Sequence, residues 1–500
     1  MNKILKALIA STVLLAANSL FAANKSDLKI LYVGNNPETV QLSGADKMGG
    51  VGDRVQELKK SRLPSFQKFL SDHFKTVDVV FSIDYSEDMS DKYQVTIFGD
   101  VPKAIKERVL EVDEKTGQTL KYEPAQYLTK DFDSAAIVIA DVSPRIGEPL
   151  EYKMDWLCLC LDAHAHGMKM DHPIFNTPVK VNLTMEQRPT PENYKHYYNG
   201  RDLEDSMPMW RVQREGYMDG KGYPPGLVST GLGYVDATDS EVISNGVCAK
   251  SVDSVALARH GNFFHWGFSA KPDDMTEQGR QVFLNAIHYI AKFDGQKPYS
   301  KRQYRKQGRE VILDRVHFTS QNTYENYVEG VASNYNSRKD SLEKAAEAGR
   351  NLSFADKRFL KSEPPKPLGR EEWMQQDVLS RWPKELVAKF GADFDKYMGY
   401  YQENMEFLMP GEQQYSFVVD VDAKALSISN RSPELLDRCI ALLEKGEDME
   451  RAKRLLSRYT DEKFISAKEW RNWYNQNKYL FFFSDVGGFK FSIMPSRASK

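Results

Sequence analysis

The sequence predicts an α/β protein: a mostly parallel sheet covered by helices, followed by a mainly α-helical C-terminal region that ends in a β-hairpin. Three observations carry this. The runs Leu28-Lys-Ile-Leu-Tyr-Val-Gly34 and Ala135-Ala-Ile-Val-Ile-Ala-Asp-Val142 are nearly continuous in apolar residues, as strands buried on both faces are. A stretch with helical apolar spacing lies between them. From Ser432 onward, helix-capping residues and helical periodicity replace the strand pattern until the final apolar segments.

Each element follows from local chemistry. Residues 28–34 read as a strand closed by a glycine turn. Val55, Leu58, Leu63, Phe66, Phe69 and Leu70 then form the apolar face of a helix reaching Phe74. Strands are expected at Val77–Ser82 and Tyr93–Phe98. The second ends at Gly99-Asp100, and Pro102 is placed to open a helix. Alternation around Lys115-Thr116-Gly117 predicts an inserted hairpin over 109–122. A fourth strand at 135–142 completes a strand–helix alternation typical of parallel sheets.

From Glu148 to Met168, Leu150, Met154, Leu157 and Leu161 fall at helical spacing, with a strand over 156–161 as the competing reading. Further strands are expected at 178–183, 228–235, 241–244, 254–259 and 262–269, around a long Pro-, Gly- and Tyr-rich excursion. Asp274 with Glu277 reads as a capping box before an amphipathic helix that reaches Phe293. Residues 296–369 form a basic, Pro-containing linker with helical stretches. In the C-terminal domain, 370–500, two consecutive helices starting at Ser432 and Met449 form an αα-hairpin. Ser466 and Glu469 cap a third, and 479–493 form the terminal β-hairpin.

The length of 500 residues exceeds one ordinary core, while 41% hydrophobic and 12% aromatic residues exclude a largely disordered chain. Lys and Arg number 68 against 70 Asp and Glu, so no global field attracts nucleic acid. Residues 1–22 read as a signal peptide: Lys3 and Lys6, an apolar run from Ala7 to Ala17, and small residues at Ala22-Ala23. The expected location is therefore periplasmic or extracellular, with no membrane span in the mature chain. The four cysteines, Cys158, Cys160, Cys248 and Cys439, read as buried small apolar side chains, with a Cys158 or Cys160 nucleophile as the sharper alternative.

Candidate site residues cluster in two ways. His164, His166 and His172 lie close together in sequence, and His260 and His265 flank Asn262. Asp162, His164 and His166 have the donor types of a divalent-metal site. A substrate-facing polar cluster and a purely structural role stay open beside it. On a helix, the two histidines of His164-Ala-His166 would diverge, so a shared metal needs the helix to end at Gly167. The second cluster is topological. Ligands of open parallel sheets bind beyond the carboxyl ends of the strands, where Asn35, Asn36, Asp100 and Asp141 fall. Amides beside carboxylates supply both donors and acceptors for a polyhydroxylated ligand, although Asn and Asp also favour turns for their own sake.

The stretch 28–295 resembles the trehalose-utilisation (ThuA-like) family of the class I glutamine amidotransferase-like fold. The residues carrying the resemblance are Ile30–Gly34, Tyr93–Asp100, His172-Pro173-Ile174, Arg259-His-Gly-Asn-Phe-Phe-His-Trp-Gly-Phe-Ser269 and Phe283-Leu-Asn-Ala-Ile-His-Tyr-Ile-Ala291. The resemblance implies a flavodoxin-like sheet and a role in carbohydrate metabolism. The chain departs from the amidotransferase pattern, because Trp156-Leu-Cys-Leu-Cys-Leu161 lacks the glycines of a Gly-x-Cys-x-Gly elbow.

Three functions follow. One is a carbohydrate-active hydrolase using His164, His166, His260 or Asp141, with Asn35, Asn36, Asp100, Asp141 and His265 binding substrate. The second is a non-catalytic carbohydrate-binding protein, and the third a protein that docks a partner through its C-terminal helices and Trp470/Trp473. Expression of the full chain in a secreting host is expected to give a mature N-terminus at Ala23, or at Asn24 for cleavage one residue later. N-terminal sequencing that begins at Met1 refutes the export assignment.

Overall fold

The computed structural model describes residues 25–40, 42, 52–113, 117, 119–303, 306–375, 382–412 and 416–495. The expected signal peptide, 1–22, lies outside them. The chain divides into two compact units, one comprising Met1–Tyr194, Asp202–Lys306 and Asn475–Lys500, the other Lys195–Arg201 and Gln307–Tyr474.

The first unit is a mixed α/β layer structure. Its strands, in chain order, are β1 (Ser26–Gly34), β2 (Phe74–Phe81), β3 (Val95–Phe98), β4 (Val109–Val112), β5 (Thr119–Glu123), β6 (Ala136–Ile139), β7 (Cys158–Leu161), β8 (His164–His166), β9 (Met185–Pro189), β10 (Ser206–Arg211), β11 (Gly226–Val228), β12 (Ser240–Gly246), β13 (Val255–His260) and β14 (Phe263–Trp266). Ten of them form one sheet in the order β2-β1-β3-β6-β14-β13-β12-β8-β10-β9. The first five are parallel, and the rest add antiparallel pairs. The sheet is therefore mixed, which corrects the expectation of a mostly parallel one.

The apolar runs explain the parallel half. In β6, Ile137 and Ile139 enter one hydrophobic cluster with Ile30, Tyr32, Ile97 and Phe66, while Ala136 and Val138 enter another with Leu31, Val33 and Phe98. Successive side chains of a strand point to opposite faces, so a strand covered on both faces must be apolar at every position. Helix α1 (Gly52–His73) supplies Phe66, Phe69 and Leu70 to the first cluster. Beyond the short helices α2 (Val142–Gly147) and α3 (Pro173–Asn176), helix α4 (Glu277–Ile290) adds Phe283, Ala286, Ile287 and Ile290.

Several expected elements differ. Pro102 opens no helix, and 101–108 runs without helical structure. The helix expected over 148–168 does not form; the competing strand over 156–161 does, as β7, with β8 following it, since 158–161 pairs antiparallel with β11 and Glu151 takes a positive φ of 61°. Residues 178–183 are not a strand; Val179 is instead tied to Asn285, whose side chain accepts its N–H and donates to its carbonyl. Helix α4 is capped by Thr276, whose hydroxyl accepts from Gly279 N, and Asp274 sits in the preceding turn. The expected hairpin around 115 forms as β4 with β5.

Cys158 and Cys160 form a disulfide, which corrects their reading as free apolar side chains, whereas Cys248 and Cys439 are free and buried. The terminal hairpin, β17 (Phe481–Ser484) with β18 (Lys490–Ile493), groups with the first unit and not with the C-terminal helices. Gln303 N donates to Val486 O, Ser484 Oγ bonds Asp236, and Tyr299 packs on Phe482. An isolated two-stranded hairpin is marginal in water and needs such a third surface.

The second unit is mainly helical, with one short pair, β15 (Leu408–Pro410) and β16 (Phe417–Val419). Its αα-hairpin forms as expected from Pro433–Lys445 and Met449–Tyr459, capped by Ser432 at the start and Gly446 in the left-handed region at the turn. A buried cluster links it to the preceding turn: Asp420 accepts from Arg458 and Tyr459, and Tyr459 accepts from Asn430. Maleimide labelling of the denatured, unreduced chain is expected to modify Cys248 and Cys439 alone, and all four cysteines after reduction. Labelling of Cys158 or Cys160 before reduction removes the disulfide.

Candidate functional site

The chain order reverses between β1 and β3, since β2 lies on one side of β1 and β3 on the other. A crevice opens at such a point because the connections leave the sheet in opposite directions. A cavity of about 110 Å³ sits there, lined by residues that directly follow three parallel strands: Asn35 after β1, Gly99 and Asp100 after β3, and Ala140 and Asp141 after β6. It suits a compact ligand, well below the roughly 300 Å³ lower bound of drug-sized sites. Arg62 and Lys59 reach it from α1, Arg145 from α2, and Ser269 and Lys271 from the segment after β14. Tyr223, Pro224 and Pro225 add an apolar wall.

The polar groups are held in place. Asn35 donates from Nδ2 to Lys59 O at 3.3 Å, and Asp100 accepts from Ser82 Oγ at 2.8 Å. Asp141 pairs with Arg145 at 3.2 Å, and Lys271 with Asp274 at 3.1 Å. Tyr223 donates its hydroxyl to Asp274. Arg62 donates from Nη1 to Ser269 O at 2.6 Å and lies over the Phe66 ring. Behind Gly99, the Tyr32 hydroxyl is buried without a hydrogen-bond partner among the described residues. A Cβ on residue 99 would lie 2.1 Å from that oxygen, so only glycine leaves room for the phenol. Burial pushes the Tyr32 phenol well above its usual range; Arg62 opposes this and Asp100 reinforces it.

Between β6 and α2, Ala140 takes a φ of 50°. Such a conformation costs an alanine of order 1–3 kcal/mol and persists where neighbours over-determine it. Here the Ala140 N–H donates to Trp266 O, and its carbonyl accepts from Ser143 N. A strained strand-to-helix turn is where an elbow would present a nucleophile. The side chain at this position is a methyl group.

Of the residues expected at the site, Asn35, Asp100 and Asp141 come together. Asn36 does not line the cavity, and its side chain accepts from Glu38 N in a turn. The histidines lie elsewhere. His265 is fully buried with Nδ1 2.7 Å from Ser143 Oγ, and His260 bonds Lys153 N and Ser300 Oγ in the core. His166 bonds the Tyr194 hydroxyl at 3.0 Å. His164 stands 3.8 Å from Asp162 and 3.9 Å from Glu186.

The proposed metal set is not assembled, and among the described residues no three His, Cys, Asp or Glu groups are placed to hold an ion. The reason is pairing: Asp162 Oδ1 is taken by Met218 N, and His166 turns to Tyr194. Burial raises the Asp162 carboxyl, but the His164 ring and the Ala163 and Met218 N–H groups outweigh it and hold it low.

Neither a protein-family model nor a curated protein matches this chain. The site therefore rests on its geometry alone.

Sequence reasoning missed Arg62, Arg145 and Lys271, whereas Tyr223 belongs to the Tyr-rich excursion whose aromatics suit stacking on a sugar face. Arg62 was detectable as a cation on the α1 face adjoining Phe66, while Lys271 is distant in sequence and carries no local signal.

Burial holds the imidazoles of His166 and His265 down at about 4. The unfolded chain, with histidine near 6.5, takes up these protons first. Stability is thus full above about pH 6.5 and falls as pH drops toward 4, by roughly 3 kcal/mol for each histidine. Thermal melts across that window are expected to show the fall, with a shallower slope in His265→Gln. A flat profile contradicts the buried neutral imidazoles.

Proposed function

We propose that this chain recognises a compact polyhydroxylated, sugar-like ligand at the carboxyl edge of the parallel strands, without forming a covalent intermediate. The observation carrying the reading is the convergence of Asn35, Asp100 and Asp141, beside an apolar wall of Tyr223, Pro224 and Pro225, in one cavity at the chain-order reversal. An amide and carboxylates offer paired acceptors and donors to hydroxyls, while the wall suits the C–H face of a sugar ring. Ala140 at the strand-to-helix turn favours binding over nucleophilic catalysis, as does the sealing of Ser143 with His265 inside the core.

The same reading includes a flavodoxin-like arrangement and ThuA-like ancestry. Counting the parallel strands alone, the order 2-1-3-4-5 supports the first. Export belongs to it as well. The Cys158–Cys160 disulfide is of a kind that persists in oxidising compartments. No helix among the described residues is long and apolar enough to cross a membrane.

Calorimetric titration with a panel of monosaccharides and their uronic acids tests the proposal. Binding by at least one sugar is expected, weakened tenfold or more by Asp100→Asn or Asn35→Ala, with no release of product from chromogenic glycosides. Binding unaffected by both substitutions moves the site elsewhere, and glycoside turnover replaces recognition with catalysis.

A further inference from the structure

The cavity's charges are unequal, and the imbalance names its ligand more closely. This inference rests on the reading of the cavity as a sugar site. Four cations line it, Lys59, Arg62, Arg145 and Lys271, against two carboxylates, Asp100 and Asp141. Arg145 is matched by Asp141, Lys271 by Asp274, and Lys59 is engaged in an interaction of its own. Arg62 is different. Among the described residues it has no carboxylate partner; its Nη1 donates to the neutral carbonyl of Ser269, and the group lies beside the buried, neutral Tyr32 hydroxyl. Its Nε is buried without a partner, and the guanidinium stacks on the Phe66 ring.

A half-buried guanidinium normally finds an anion, because losing water without gaining a counter-charge is costly. The Phe66 ring beneath it and the bond to Ser269 hold the group in place. A fixed planar fork is the arrangement that favours carboxylates over hydroxyls, with bidentate charge-assisted bonds.

We propose that the sugar bound in this cavity carries a carboxylate, as a uronic acid does, and that Arg62 is its anchor. One unmatched guanidinium balances one carboxylate. A phosphate dianion would bring a second negative charge into a cavity that already holds Asp100. The hydroxyls of the ring then face Asn35 and Asp100, and its C–H surface faces Pro224 and Pro225.

The test titrates the full chain at low salt with matched pairs, glucose with glucuronate, galactose with galacturonate and mannose with mannuronate, and with glucose 1-phosphate. At least one uronate is expected to bind ten times or more tightly than its neutral partner, and more tightly than the phosphate. Arg62→Gln is expected to weaken the uronate at least tenfold more than its neutral partner, erasing that preference. Arg62→Lys, which keeps the charge and loses the fork, should retain part of it. Thermal melts and circular dichroism of both variants identify any loss through misfolding, in which case Arg62→Lys carries the comparison.

Equal affinity for acid and neutral sugars, or an equal loss of both in Arg62→Gln, overturns the anchor and leaves the sugar site standing. Tighter binding of the phosphate overturns the carboxylate. If no sugar of either kind binds, the reading of the cavity as a sugar site fails as well.

Discussion

Burial of β6 on both faces constrains the rest of the first unit. With β3 on one side, β14 on the other, and apolar clusters above and below, residues 136–139 have no position open to a polar side chain. Polar groups are displaced to where the strands end. The chain must also turn sharply there, since α2 begins at once, and the Ala140 backbone absorbs that turn with its N–H on Trp266. Asn35, Asp100 and Asp141 follow neighbouring parallel strands within a residue of one another in register, so strand pairing brings them together.

Two kinds of polar burial in this unit behave differently. Histidines 166 and 265 are buried beside hydroxyls, and His260 is buried among Lys153 N, the Ser300 hydroxyl and the Asp239 carboxylate. Arg62 at the cavity is held differently, at one nitrogen by Ser269 and over the Phe66 ring, with no carboxylate partner among the described residues. A histidine-rich stretch in a sequence can equally be a set of satisfied core side chains.

Segments outside the parallel strands are tied down by bonds of their own: Tyr223 donates to Asp274, and Asn285 of α4 holds the irregular segment at Val179. The terminal hairpin adds a further brace, through Asp236 and the 299–303 segment, from a part of the chain hundreds of residues away.

Read alone, the sequence determined the apolar strands β1, β3 and β6, the amphipathic helices α1 and α4, the αα-hairpin with its Ser432 and Gly446 caps, and the strand ends at which Asn35, Asp100 and Asp141 fall. Those features are local: periodicity, caps and turn residues act within a few positions. Tertiary structure alone decided three things. It decided between the helix and the strand that the sequence left open over 156–161, because pairing with β11, and of β8 with β12, outweighed helical spacing. It joined Cys158 to Cys160. It also brought Arg62, Tyr223 and Lys271 to the same cavity as the strand-end residues. Each depends on partners far apart in the chain, which no local spacing encodes.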